Sequence, residues 1–324
     1  MALPTETVYG LAADALNPEA VTKIFEAKER PRFDPLIVHL PNKEALGEIA
    51  IVESKVARKL TEKFWPGPLT IIFPKRENVP DIVTAGLETV ALRMSAHPIF
   101  REIVRKLNRP LAAPSANRFG RISPTTAQHV FDELGGRIPL IIDGGATEHG
   151  IESTIVQVTN EAIKVLRRGP ITDEMLRPFG ELCEQSSSPT ISAPGQLPTH
   201  YAPRTKLIVL DDLRDFSPPP GKRVGALCFS FVAAVAGRGP ASYHGSTSKP
   251  RPTTVATSTP AGFIGFATMR RLSERSDLRE AAANFFRMLR ELDAEKLDLI
   301  VAERLPEEGI GAAINDRLRR AAAK

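Results

Sequence analysis

Cysteine is nearly absent. The 324 residues include two, Cys183 and Cys228, far apart in the chain. That excludes a disulfide framework and a four-cysteine zinc site, and leaves inert or partly exposed thiols. Long apolar runs are missing as well, so no segment is expected to span a bilayer. The start, Met1-Ala2-Leu3-Pro4, has neither a basic n-region nor an apolar h-region, and the expected compartment is the cytoplasm. No Asp/His/Cys group stands at metal-ligand spacing, so no built-in zinc or iron site is expected. There is no Walker A loop and no Gly-x-Gly-x-x-Gly, which excludes P-loop and Rossmann dinucleotide binding by motif. Covalent catalysis has no support either, since a Gly-x-Ser-x-Gly elbow and a spaced Cys/His pair are both lacking.

What is present is an ordinary globular composition, 42% hydrophobic and 25% charged, in a chain long enough for two cores. Basic residues outnumber acidic ones by 43 to 38, a net charge of +5 with a pI near 9.3. An anionic substrate and nucleic acid are both compatible with that balance.

Along the chain, Asn17 as N-cap and Pro18 at the first position open a helix carrying Val21, Ile24, Phe25 and Lys28 at helical spacing, which Pro31 ends. Leu36 to Leu40 reads as a buried strand, with Ile37 and His39 sharing one face. Val56, Leu60 and Phe64 predict a helix, halted by Pro66-Gly67-Pro68 before a strand from Leu69 to Phe73. In Thr89 to Met94 the period of two sets Val90, Leu92 and Met94 against Thr89, Ala91 and Arg93. Ser123 and Pro124 are expected to cap a further helix whose N-terminus can receive an anion. Leu140 to Ile142, Ser153 to Val158 and Ala162 to Leu166 complete the strands of an α/β or α+β domain with a twisted sheet.

After Cys183 the chain turns rich in Ser and Pro, which predicts an extended rather than packed linker over 183–205 between an N-terminal domain, 1–182, and a C-terminal domain, 206–324. In the latter, strands at Leu207 to Leu210, Val224 to Phe229 and Leu297 to Ala302 alternate with helices at Ala281 to Leu292 and Ile314 to Ala323. Only a poorly patterned stretch to about Pro260 interrupts them. That spacing fits a smaller, doubly wound α/β domain.

Lys28 and Arg30, near a helix end, are a point charge and a fork suited to polyphosphate, though cations there also complement the helix dipole. Arg93, on a strand, needs an anion or a structural carboxylate partner. Ser115, Asn117 and Ser123 offer hydroxyls and an amide for phosphates, but also simply form turns. Thr7 beside Gly10, His39, Ser153 and Arg167 are weak signals individually.

Together, Pro4-Thr5-Glu6-Thr7-Val8-Tyr9-Gly10-Leu11, Lys28-x-Arg30-Pro31, Asp34-Pro35-Leu36-Ile37-Val38-His39, Ala113-Pro114-Ser115-Ala116-Asn117, Gly120-x-x-Ser123-Pro124-Thr125 and Ser153-Thr154-Ile155-Val156 closely resemble the YrdC-like threonylcarbamoyl-AMP synthase family in order and spacing. Ser192-x-Pro194-Gly195, His200-Tyr201-Ala202-Pro203 and the ending Pro306 to Leu318 resemble its long, two-domain form. The resemblance implies a nucleotidyltransferase that makes L-threonylcarbamoyladenylate and pyrophosphate from L-threonine, bicarbonate and ATP. The product then passes to tRNA-modification machinery, with tRNA itself a possible partner. It places Thr7, His39, Arg93, Ala113 and Ser153 around threonine. Arg30, Asp34, Thr89, Ser115, Asn117, Ser123, Arg167 and Tyr201 fall around ATP, with Lys28 and Arg30 stabilising charge at the phosphates. Mg²⁺ is expected to arrive with the nucleotide, and Tyr201 to belong to a segment that gates the site. The chain departs from the pattern in having only Met1-Ala2-Leu3 where a helix and most of a strand usually precede the first motif, and Asp34 where Asn is frequent. A double-stranded RNA or tRNA binding module without catalysis is the competing reading.

Overall fold

The computed structural model describes residues 1–183, 193–195, 197–229 and 265–323. Residues 184–192 and 196 of the Ser/Pro-rich linker and the whole poorly patterned stretch, 230–264, lie outside the described residues.

Strands β1 (Ala2–Leu3) and β2 (Gly10–Leu11) pair antiparallel. Eight further strands form one mixed sheet: β3 (Ala13–Asp14), β4 (Ile37–His39), β5 (Gly67–Pro74), β6 (Thr89–Met94), β7 (Leu111–Ala112), β8 (Thr154–Thr159), β9 (Ala162–Arg167) and β10 (Leu182–Cys183). Their order is β10-β9-β8-β5-β6-β4-β7-β3.

The helix before β4 starts as its sequence dictates. Asn17 accepts from the N–H groups of Glu19 and Ala20, Pro18 takes the first position, and the Pro18–Lys28 helix buries Val21, Ile24 and Phe25. These pack with Val56, Leu60 and Phe64 of the Lys55–Phe64 helix against Val38, Leu92, Ile71 and Val156, which form one row across the sheet. Each such side chain stabilises by roughly 2 kcal/mol when fully buried, so this face anchors the sheet to its helices.

Alternation then fixes the opposite face. His39 pairs with Arg93, Arg93 with Thr70, Thr70 with Ile155 and Ile155 with Arg167. Residues paired across strands share a face, so an imidazole, a hydroxyl and two guanidiniums stand in one row on the face opposite those two helices.

Three expectations are corrected. Ser123 does not cap a helix: the Ala127–Leu134 helix starts at Thr126, whose side chain accepts from His129 N–H, while the Ser123 hydroxyl donates to Glu152 instead. Leu140 to Ile142 makes only a single bridge between Ile141 and Ala2. The described part of the linker is packed, not merely extended: Ala193, His200, Tyr201 and Ala202 are buried, because apolar and aromatic side chains among the prolines give it surface to bury.

In the C-terminal domain, β11 (Leu207–Leu210), β12 (Val224–Cys228), β13 (Thr268–Arg271) and β14 (Leu299–Glu303) form a parallel sheet in the order β11-β14-β12-β13. The Leu278–Ala294 and Gly309–Ala322 helices share a core with Leu207, Leu227, Ile300 and Ala302. Val8, Ile122, Ile151 and Tyr201 join that same core, so the two domains are packed on each other. Gly150 permits this contact. At φ +68° it lies in the left-handed region, and a Cβ there would stand 2.3 Å from Ala282 O of the helix.

Candidate active site

The row of polar side chains is the floor of a cleft lined by Thr5, Thr7, Val8, Arg30, Ala113, Ser115, Glu152, Pro194, Gly195, His200 and Tyr201 together with His39, Arg93 and Arg167. One wall is the Pro4 to Gly10 turn. The Thr5 hydroxyl accepts from the N–H groups of Thr7 and Val8 and donates to Val8 O at 2.6 Å. With its own proton so used, Thr5 Oγ1 accepts from the Thr7 hydroxyl at 2.8 Å, and Thr7 Oγ1 in turn accepts from Arg93 Nη1 at 3.0 Å.

Arg93 finds the structural carboxylate that its burial demands. Its Nη2 lies 2.7 Å from Glu6 Oε1, and its Nε donates to Gly67 O at 3.3 Å. Burial opposes a charge on Glu6, but Arg93 and hydrogen bonds from Ser95 and Arg93 outweigh it and hold the carboxyl at about 2. Neighbouring His39 is lowered as well, and there the shift removes the charge rather than keeping it. Burial, reinforced by the charge of Arg93, pushes the imidazole down to about 3, so it is neutral at ordinary pH. Its ring stands 4.6 Å from that of Phe100, and Nδ1 has no hydrogen-bond partner among the described residues.

At the other end of the row, Arg167 donates Nε to Ser153 O and Nη2 to Ser153 Oγ, both at 3.0 Å, and Ser153 Oγ lies 2.8 Å from Thr70 Oγ1. Arg167 also reaches Pro194 O at 3.4 Å, which ties the floor to the roof. The roof depends on Gly195. It sits at φ +80°, and a Cβ there would come 3.1 Å from both Arg167 Nη1 and Tyr201 Oη. Tyr201, also left-handed at φ 63°, packs its ring 5.5 Å from Phe286 and 4.2 Å from His200. Burial raises its phenol to about 12 and pushes His200 well below the usual imidazole range, with Arg30 and Lys28 adding to the effect. About 50 Å³ of free space remains inside, room for a few waters at roughly 10–15 Å³ each.

Of the residues singled out in the sequence, the lining holds Thr7, Arg30, His39, Arg93, Ala113, Ser115, Arg167 and Tyr201. Ser153 is directly beneath, bound to Arg167. Lys28, Asp34, Thr89, Asn117 and Ser123 stand outside it. Lys28 Nζ donates to Ser115 O and Asn117 O, and Asn117 Nδ2 donates to Arg118 O and Arg121 O. Both therefore brace the loop from below. Thr89 lies four positions along β6 from Arg93, about 13 Å at strand rise. Asp34 pairs with Arg30 at 2.9 Å.

Sequence reasoning missed Glu6, Glu152, Gly195 and His200 as site residues, and Arg317 behind them. Glu152 Oε1 accepts from Ser123 Oγ at 2.5 Å, and its Oε2 lies 3.1 Å from Arg317 Nε of the last helix. Arg317 did carry a signal: it falls on the apolar face shared by Ala313, Ile314 and Ala321, where a cation is desolvated.

The Sua5/YciO/YrdC family model, described as telomere recombination, matches residues 1–169, and that of the threonylcarbamoyl-AMP synthase C-terminal domain matches 158–323. Threonylcarbamoyl-AMP synthases of Pyrococcus abyssi and Bacillus subtilis are each 38% identical, over 99% of this chain and 89% of theirs. The crystal structure of P. abyssi Sua5 complexed with L-threonine superposes with a TM-score of 0.82 at 36% identity, covering 99% of this chain and 89% of that one. Two domains, one cleft between sheet and linker, and similarity along the whole length lead to one conclusion: this chain belongs to the threonylcarbamoyl-AMP synthase family, in its two-domain form.

Proposed function

We propose that the chain is a threonylcarbamoyl-AMP synthase that condenses L-threonine, bicarbonate and ATP into threonylcarbamoyladenylate and pyrophosphate, for later transfer to tRNA. The observation that carries this reading is the convergence of Thr7, His39, Arg93, Arg167 and Tyr201, drawn from distant parts of the chain, on a single cleft. Bringing three reactants into one orientation is most of the chemical task.

In this reading the threonine amine adds to bicarbonate with loss of water, giving a carbamate. Its oxygen then attacks the α-phosphorus, and the bond to the β-phosphate oxygen breaks. Arg93, already aligned by Glu6 and Thr7, offers its remaining guanidinium hydrogens to the amino-acid carboxylate. His39, uncharged, takes part as a hydrogen-bonding group rather than a cation. Arg30 and Arg167 counter the phosphate charge as it builds. Tyr201, in the lining of the cleft, is placed to limit the access of water to the hydrolysable adenylate.

Among the described residues no group of three or more His, Cys, Asp or Glu comes together. In this reading Mg²⁺ would arrive with the nucleotide and supply charge neutralisation at the phosphates. A non-catalytic RNA-binding module requires cations open to a phosphate backbone, whereas Lys28, Arg30, Arg93 and Arg167 are all buried. Incubation with ATP, bicarbonate and single amino acids tests the proposal: pyrophosphate should appear with threonine. Salt-sensitive RNA binding without release would refute it.

A further inference from the structure

Asp34 is an anomaly in its surroundings. Its side chain is fully buried, and Oδ2 lies 2.9 Å from Arg30 Nη2. Yet neither carboxylate oxygen accepts a hydrogen bond with proper alignment among the described residues. A buried carboxylate left without donors carries a desolvation penalty that structural ion pairs normally avoid by full satisfaction. Lys28 and Arg167 also attract it, although burial still outweighs all three cations and raises its pKa.

Arg30 is held in a corresponding way. It borders the cleft, but Nε donates to Asp34 O at 3.3 Å and Nη2 to Pro35 O at 2.8 Å, so its fork is turned onto its own loop. A carboxylate thus occupies the electrostatic position that a phosphate oxygen would take beside the same cations.

We propose that Asp34 is an internal counter-anion that competes with the incoming polyphosphate for Arg30 and thereby sets the affinity of the cleft for nucleotide. This rests on the reading above that Arg30 meets ATP. Acting through Arg30, Asp34 is a positioning residue.

The proposal is tested by calorimetric binding of ATP with Mg²⁺ to the full chain and to Asp34→Asn, Asp34→Ala and Asp34→Glu, beside steady-state kinetics and thermal melts. Both neutral variants should bind ATP at least tenfold tighter, since the Coulomb term of one unit charge about 4 Å away exceeds that factor at intermediate dielectric. Their KM for ATP should fall while KM for threonine stays put. Their melting temperature should hold, because Arg30 keeps its hydrogen bonds to the carbonyls of Asp34 and Pro35 while an under-satisfied buried carboxylate is gone, and Asp34→Glu should bind no tighter than the original. A purely structural ion pair gives the reverse: lower melting temperature and unchanged or weaker ATP binding in both neutral variants. That result overturns the proposal. Should the unaltered chain release no threonine-dependent pyrophosphate, the functional reading fails instead.

Discussion

Arg317 of the last helix and Glu152 at the rim of the cleft form an ion pair across the domain boundary, with Nε 3.1 Å from Oε2 and the arginine fully buried. Arg317 also donates to Ala313 O at 3.1 Å and to Arg168 O, and its guanidinium lies 5.8 Å from the centre of the Tyr201 ring. The second Glu152 oxygen holds Ser123. Nearby, Arg290 of the Leu278–Ala294 helix pairs with Glu133 and donates to the carbonyls of Ile122 and Ser123. The C-terminal domain is thus fastened to the residues that shape the cleft.

Removing Arg317 should therefore strand Glu152 as a buried, unpaired charge. Arg317→Met is expected to destabilise by about 3–5 kcal/mol in urea titrations. Arg317→Met with Glu152→Gln should recover much of that, since no charge is then left alone. A double variant as unstable as the single one would sink this account.

Glu6 predicts an acid limb. Its carboxyl is held at about 2 against an ordinary 4.5, so the unfolded chain binds the proton first as pH falls. The contribution is complete above 4.5 and is lost as pH drops through about 2. Its full size is roughly 3 kcal/mol from the shift. Denaturant midpoints should fall as pH drops from about 4.5 to 3, and Glu6→Gln should flatten that part of the curve while lowering stability at neutral pH.

How much of this was legible in the sequence follows from what periodicity can carry. The alternation in Thr89 to Met94 shows that Arg93 faces away from the core, and the β6 strand confirms it. Alternation does not reveal that Thr70 and Arg167 fall in the same row, because that needs the register of three other strands. The Ser123 cap failed because Ser-Pro is a fair helix start only when the serine is not already engaged, and Glu152 engages it from a distant loop. Glu6 sat in plain view within Thr5-Glu6-Thr7, but a carboxylate in a polar turn reads as solvated until its burial is known.

His39 should show no titration in the range where histidines usually change charge. With the imidazole pushed down to about 3, its ring proton shifts in NMR spectra are expected to stay constant from pH 8 to pH 5, while the exposed-chain reference moves near 6.5. The sign of the stability effect is the same as for Glu6. The folded site refuses the proton that the unfolded chain accepts, so stability present above 6.5 declines as pH falls below it. A midpoint near neutrality for His39 would mean that the imidazole is not buried beside Arg93 as described.

Tyr201 tests the roof. Its φ of 63° lies in the left-handed region, a strain of order 1 kcal/mol for a residue with a side chain, and the ring is 1% exposed between His200 and Phe286. Tyr201→Gly relieves the backbone but removes an aromatic ring worth roughly 3–5 kcal/mol in a packed interior, so the net effect should be a loss of stability. Its kinetic effect separates a roof from a mere core residue. If the ring keeps water out, Tyr201→Gly should still release pyrophosphate but retain far less adenylate on the protein. Tyr201→Phe, which keeps the ring, should retain nearly as much as the original. Equal retention in Tyr201→Gly, measured in the same single-turnover trap, would show that the cleft is closed by something other than this side chain.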